Sequence, residues 1–96
     1  MGGKYCWLCG ANGSADPLDK HHIFNGPYRA KSDQYGLTVY LCHANCHIFG
    51  VNAAHVNPYT RRMLQQWGQR KAMADNNWTV AQFAAEFGRD YLDDTK

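Results

Sequence analysis

The spacing of apolar and polar positions changes along the chain, and each change predicts an element. Leu18 to Phe24 reads as a short strand, ended by Asn25-Gly26-Pro27, with a loop expected through Ser32 and Asp33 to Tyr35-Gly36. Leu37-Thr38-Val39-Tyr40-Leu41, β-branched or aromatic at its centre and preceded by glycine, predicts a second strand. From Cys42 to about Phe49 a short helix is expected, stopped by Gly50, with His43 and His47 on one face. Asn57-Pro58 gives an N-cap and a first helical position. That helix is expected to run to about Ala74, with Met63, Leu64, Trp67 and Met73 on its apolar side and Gly68 as a modest weak point. After Asp75-Asn76-Asn77 a last helix starts past Thr79, carries Phe83 and Phe87 four apart, and closes at Gly88; Tyr91 and Leu92 are placed to pack back. The expected class is α+β: a small ββα unit followed by two C-terminal helices.

A ββα unit of this size is too small to stand on its hydrophobic core, and the cysteines supply what the core lacks. Cys6-x2-Cys9 and Cys42-x3-Cys46 form two close pairs. Close pairs suit the tetrahedral angles of a single zinc ion, each folding as a knuckle around it, and Gly10 lets the first fold tightly. Ala11 to Pro17 is turn chemistry. The alternatives are buried free thiols, or two disulfides if the chain is exported. The spacing and the lack of a secretion signal favour a structural Zn2+ on Cys6, Cys9, Cys42 and Cys46.

Histidines fill the ground between the cysteine pairs. His21 and His22 are adjacent in the first predicted strand, so they point to opposite sides: one can bind a metal while the other addresses a separate atom. An imidazole titrating near neutrality is matched to taking a proton from water. Taken alone, a His-His dipeptide is weak evidence, and a pair of structural or surface histidines is the better reading.

At 96 residues the chain is expected to form one domain, divided as 1–19 (knuckle and turn), 20–56 (ββα core) and 57–96 (helical extension). The composition, 45% apolar and 19% charged, is globular. No apolar run approaches a membrane span and no signal peptide opens the chain, so a soluble, intracellular protein is expected. Net charge is only +2 and does not announce a nucleic-acid partner. Its distribution says a little more: Lys20, Arg29, Lys31, Arg61, Arg62, Arg70 and Lys71 outweigh the acids before Asp90, Asp93 and Asp94 gather at the C-terminus. A solvated charged face is the plain alternative to phosphate binding. Trp7, Trp67 and Trp78 can stack on bases, but in a small domain large aromatics serve mainly as core.

Lys20-His21-His22-Ile23 followed by Val39-Tyr40-Leu41-Cys42-x3-Cys46-His47 resembles the HNH endonucleases, of ββα-metal type, and Cys6-x2-Cys9-Gly10 resembles the zinc knuckle of many of them. His55-Val56-Asn57 leading into a helix, and Phe83-x3-Phe87-Gly88-Arg89-x-Tyr91-Leu92, are similar to the compact phage and prophage members. The resemblance covers nearly the whole chain and is most specific from residue 20 to 47.

The resemblance implies a metal-dependent nuclease that hydrolyses DNA phosphodiester bonds, leaving 5′-phosphate and 3′-hydroxyl ends. His21 and His47 would be ligands of a catalytic divalent metal (zinc, nickel, manganese or magnesium), and His22 the general base. The family's further ligand one helical turn after His47 falls on Val51, which cannot bind; His55 substitutes if the helix breaks at Gly50 and the chain loops back. The family's middle Asn falls at Leu37 or Thr38, leaving Thr38 or Asn25 to brace the base. Lys31, Arg61 and Arg62 are candidate nucleic-acid contacts, and His43 is either a further phosphate contact or a solvent-facing position. Low sequence specificity and the cytoplasm of a bacterial host are also implied. Two alternatives remain: a zinc-stabilised DNA- or protein-binding module with little activity, and an accessory subunit of a phage DNA-packaging machine.

Overall fold

The computed structural model describes residues 4–92. Asp93 and Asp94, the last of the C-terminal acids, lie outside them. The fold is α+β, with a two-stranded antiparallel sheet of β1 (Leu18–His22) and β2 (Thr38–Cys42). Three α-helices accompany it: α1 (Arg29–Gln34), α2 (Pro58–Asn76) and α3 (Val80–Phe87). No helix among the described residues is long and apolar enough to cross a membrane.

The chain divides into two compact units. The first comprises the chain up to His21 together with Thr38–Arg61; the second comprises His22–Leu37 and the chain from Arg62 onward.

In the first unit, alternation along β2 buries Val39 and Leu41, and the interior is completed by Cys6, Cys42, Cys46, Ala53 and Ala54. Few of these are large. The knuckle is tied to the strand by the Trp7 N–H, which donates to Tyr40 O at 2.8 Å. After β2 the chain forms a wide π-type turn, His43–Ile48, rather than the expected α-helix: the amides of Phe49 and Gly50 both reach back to Ala44 O, at 2.9 and 3.0 Å. A carboxylate from far upstream holds it open, for Asp16 accepts from Ala44 N–H at 3.0 Å and from Asn45 N–H at 2.9 Å. Gly50 is required where the turn ends, since a Cβ there would stand 2.0 Å from Asn45 O. The chain then doubles back, with Ala54 N–H on Cys46 O at 2.8 Å and His55 N–H on His47 O at 3.0 Å. Asn57 caps the following helix as the sequence predicts, its Oδ1 accepting from Tyr59 N–H at 2.8 Å and Thr60 N–H at 3.3 Å.

In the second unit the segment read as a loop from Asn25 to Gly36 is instead a 3₁₀ turn, Gly26–Tyr28, running into α1. Its polar sequence lacks an apolar period. What fixes it is Ser32, fully buried, whose hydroxyl donates to Phe24 O at 2.6 Å and accepts Phe24 N–H at 3.0 Å. Leu64, Ala72, Phe83 and Phe87 are buried in this unit, and the ring of Phe24 lies 5.5 Å from that of Phe83 and 4.8 Å from that of Phe87. Gln69, wholly buried, donates to Asp90 at 2.9 Å and accepts Tyr91 N–H at 2.7 Å, which packs the chain end back as expected. The last helix also matches its expected limits: Thr79 is the N-cap, reciprocated by Gln82, and Gly88 is the C-cap.

Candidate metal centres

Two turns bring the four cysteines together. Gly10, at φ +82°, lets its N–H return to Cys6 O at 2.9 Å, so the knuckle folds back until Cys9 N–H meets Cys6 Sγ at 3.4 Å. Cys42 ends β2 and Cys46 sits within the π-type turn. The four sulfurs lie within 4.8 Å of one another, and Cys9 Sγ stands 3.5 Å from Cys42 Sγ. A disulfide needs about 2.05 Å. Two thiolates on one tetrahedral zinc, each bonded at about 2.3 Å, stand roughly 3.8 Å apart, so the spacing fits a shared ion.

The electrostatics point the same way. Burial works against an ionised Cys6, but donation from the amides of Cys9, Cys42 and Leu8 outweighs it and holds this thiol at about 6. Burial, then bonding and repulsion from Cys6 and Cys9, push Cys42 up to about 12 and Cys46 upward as well. Buried thiols packed this closely cannot all carry charge unless a cation sits among them, and the cluster is compatible with a bound metal ion as that cation.

The second cluster is built from imidazoles. His21 on β1, His47 on the π-type turn and His55 beyond the return each offer a ring nitrogen, all within 4.8 Å. His47 Nε2 and His55 Nε2 are 3.2 Å apart, close to the roughly 3.3 Å edge of a tetrahedron with bonds near 2.05 Å. Burial first, then the charges of His47 and Arg61, lower the His55 pKa and favour the neutral, ligating form. Three imidazoles leave a fourth position open, the arrangement found where a metal must accept water or substrate.

Asp19 stands behind this cluster, and the sequence reading did not name it. Its Oδ2 accepts from His47 Nδ1–H at 2.9 Å and from His43 Nδ1–H at 2.6 Å. Those bonds from His47 and His43 hold its carboxyl below the ordinary range. With Nδ1 engaged by Asp19, His47 turns its Nε2 toward His55. The signal was present in the strand: residues two apart share a face, so Asp19 lies on the side of His21. Asp19→Ala is expected to weaken binding of a divalent ion at the three histidines by about 10–100-fold while the cysteine-bound metal is retained. Equal affinities by calorimetry would remove Asp19 from this role.

The remaining candidates are placed as follows. His22 is in the second unit, where its Nε2 meets Asp33 Oδ2 at 3.1 Å. Lys31 Nζ donates to Glu86 O at 2.7 Å and pairs with Glu86 Oε1 at 3.1 Å. Arg61 donates to Ala54 O at 3.2 Å, and Arg62 is half-buried. His43 is a half-exposed residue tied to Asp19. Trp7, Trp67 and Trp78 are half-buried, with Trp78 edge-on to Tyr35 at 4.9 Å. No protein-family model, curated protein or solved structure matches the chain.

Proposed function

We propose that this chain is a small HNH-type, ββα-metal endonuclease that hydrolyses phosphodiester bonds in DNA. The observation that carries the reading is the meeting of His21, His47 and His55, backed by Asp19, in a unit that holds a separate four-cysteine cluster. In this reading Cys6, Cys9, Cys42 and Cys46 hold zinc for structure, and the three histidines hold a second divalent ion. That ion supplies positive charge to the phosphate and to the departing 3′ oxygen. His22, next to His21 in β1, would take the proton from the attacking water as its oxygen bonds to phosphorus; the P–O3′ bond breaks and the 3′ oxygen takes a proton from solvent, leaving 5′-phosphate and 3′-hydroxyl ends. Arg61, Arg62 and Lys31 serve as phosphate contacts, Lys31 by exchanging Glu86 for the nucleic-acid backbone. A compact nuclease of phage or prophage origin, working with DNA-packaging proteins, fits this chemistry.

The test is cleavage of supercoiled plasmid by purified protein across a series of divalent metals, beside an EDTA control and His22→Ala. Metal-dependent relaxation is expected, reduced about 10²–10⁴-fold in the variant, which is what a positioned base contributes. If wild type and variant are equally inert with every metal while the protein holds zinc and binds DNA, the chain is a binding module and the nuclease reading is wrong.

A further inference from the structure

We infer that Asp33 is the positioning residue of His22, fixing which ring nitrogen receives the proton; the inference rests on the reading of His22 as general base. The two belong to the same unit but to different elements, His22 ending β1 and Asp33 lying one residue from the end of α1. The His22 side chain is only 10% exposed, while that of Asp33 is 48% exposed. A carboxylate at neutral pH only accepts hydrogen bonds, so the 3.1 Å contact from Asp33 Oδ2 to His22 Nε2 requires the proton on Nε2. In the neutral ring so held the lone pair is on Nδ1, and Nδ1 is the atom that takes the proton from water. When it does, the imidazolium formed is already paired with a carboxylate on its far side, which stabilises the charge that develops.

The local fold explains why α1 exists where the sequence suggests a loop. Ser32 anchors the helix through Phe24 on one side, with its hydroxyl bonded to both the amide and the carbonyl of that residue. Asp33, the next residue, is thereby set at a fixed height beside the end of β1. The brace that the sequence left open between Thr38 and Asn25 is thus assigned to a third residue, on a short helix that buries its serine and presents its aspartate.

The experiment uses the full zinc-loaded chain, ¹⁵N-labelled, with His22 identified by comparison with His22→Ala. Long-range ¹H–¹⁵N spectra should find wild-type His22 protonated on Nε2. Asp33→Ala should lose that preference and lower kcat at least about tenfold, with KM, zinc content and melting temperature unchanged. Asp33→Asn keeps an oxygen able to accept from Nε2–H, and should retain the tautomer and most of the rate. A wild-type His22 protonated on Nδ1 overturns the inference. So does a wild type that cleaves while Asp33→Ala matches its kcat, and that result leaves the nuclease reading standing. A wild type that stays inert with every divalent metal overturns the nuclease reading and this inference with it.

Discussion

Removing the metal from Cys6, Cys9, Cys42 and Cys46 is expected to unfold the first unit. Apart from the cysteines, its buried apolar residues among the described ones are Val39, Leu41, Ala53 and Ala54, of which only Val39 and Leu41 carry large side chains. Burying those two contributes about 3–6 kcal/mol. A structural zinc in a comparably small domain contributes roughly 10–16 kcal/mol at neutral pH, so the ion outweighs the core. Purified protein should therefore carry one tightly held zinc at this cluster. A strong chelator should abolish its strand signal in circular dichroism, and Cys46→Ala should not fold the unit even with zinc in excess. A stripped chain that keeps its amide dispersion and its melting temperature would refute the assignment.

The pH dependence reverses between the two forms. Without metal, Cys42 is raised from its ordinary 9.0 to about 12, and Cys46 is raised too, chiefly by burial. A raised thiol favours the fold only while it is protonated, so raising the pH past the unfolded value disfavours the metal-free fold further, and the stripped unit should stay unfolded on the alkaline side. With zinc the thiols must be deprotonated, and protons compete with the ion. Cys42 and Cys46 alone release two protons, so zinc affinity should strengthen by at least about two decades per pH unit around neutrality. Acidification should release zinc and unfold the unit in one step.

What the sequence disclosed follows how local each determinant is. Asn57-Pro58 and Thr79 to Gly88 specify helix ends through bonds spanning only a few residues, and both helices begin where those signals stand. The cysteine pairs were legible for the same reason, since each is a local knuckle. Helix α1 was not, because Ser32 bonds to Phe24, eight residues away, and nothing in the apolar pattern announces it. The π-type turn reads as an ordinary helix end, since its amides are satisfied by Asp16, 28 residues upstream of Ala44. The histidines were recognisable as donor types, but bringing His55 back to His47 depends on the close approach of Gly50 to Asn45. Asp19 could have been found from the two-residue period of β1. Asp33 could not, because its partner lies across a 3₁₀ turn whose existence the sequence concealed.

His47→Ala should separate the two metals. It removes the imidazole that faces His55 at 3.2 Å and leaves every cysteine in place. His47 is half-buried and its side chain bonds Asp19 rather than core residues, so the loss is of a ligand more than of packing. Two remaining histidines hold a divalent ion far less well than three, and the order of affinities among metals does not rescue a missing donor. The variant should fall from two bound ions per chain to one, keep the melting temperature of the zinc-loaded protein, and cleave plasmid no faster than the EDTA control. His43→Ala, which removes the other partner of Asp19 and no ligand, should keep both ions and most of the cleavage rate. Two ions still bound to His47→Ala would place the second metal elsewhere. Metal-dependent cleavage surviving in that variant would mean that the three histidines are not where the phosphate is attacked.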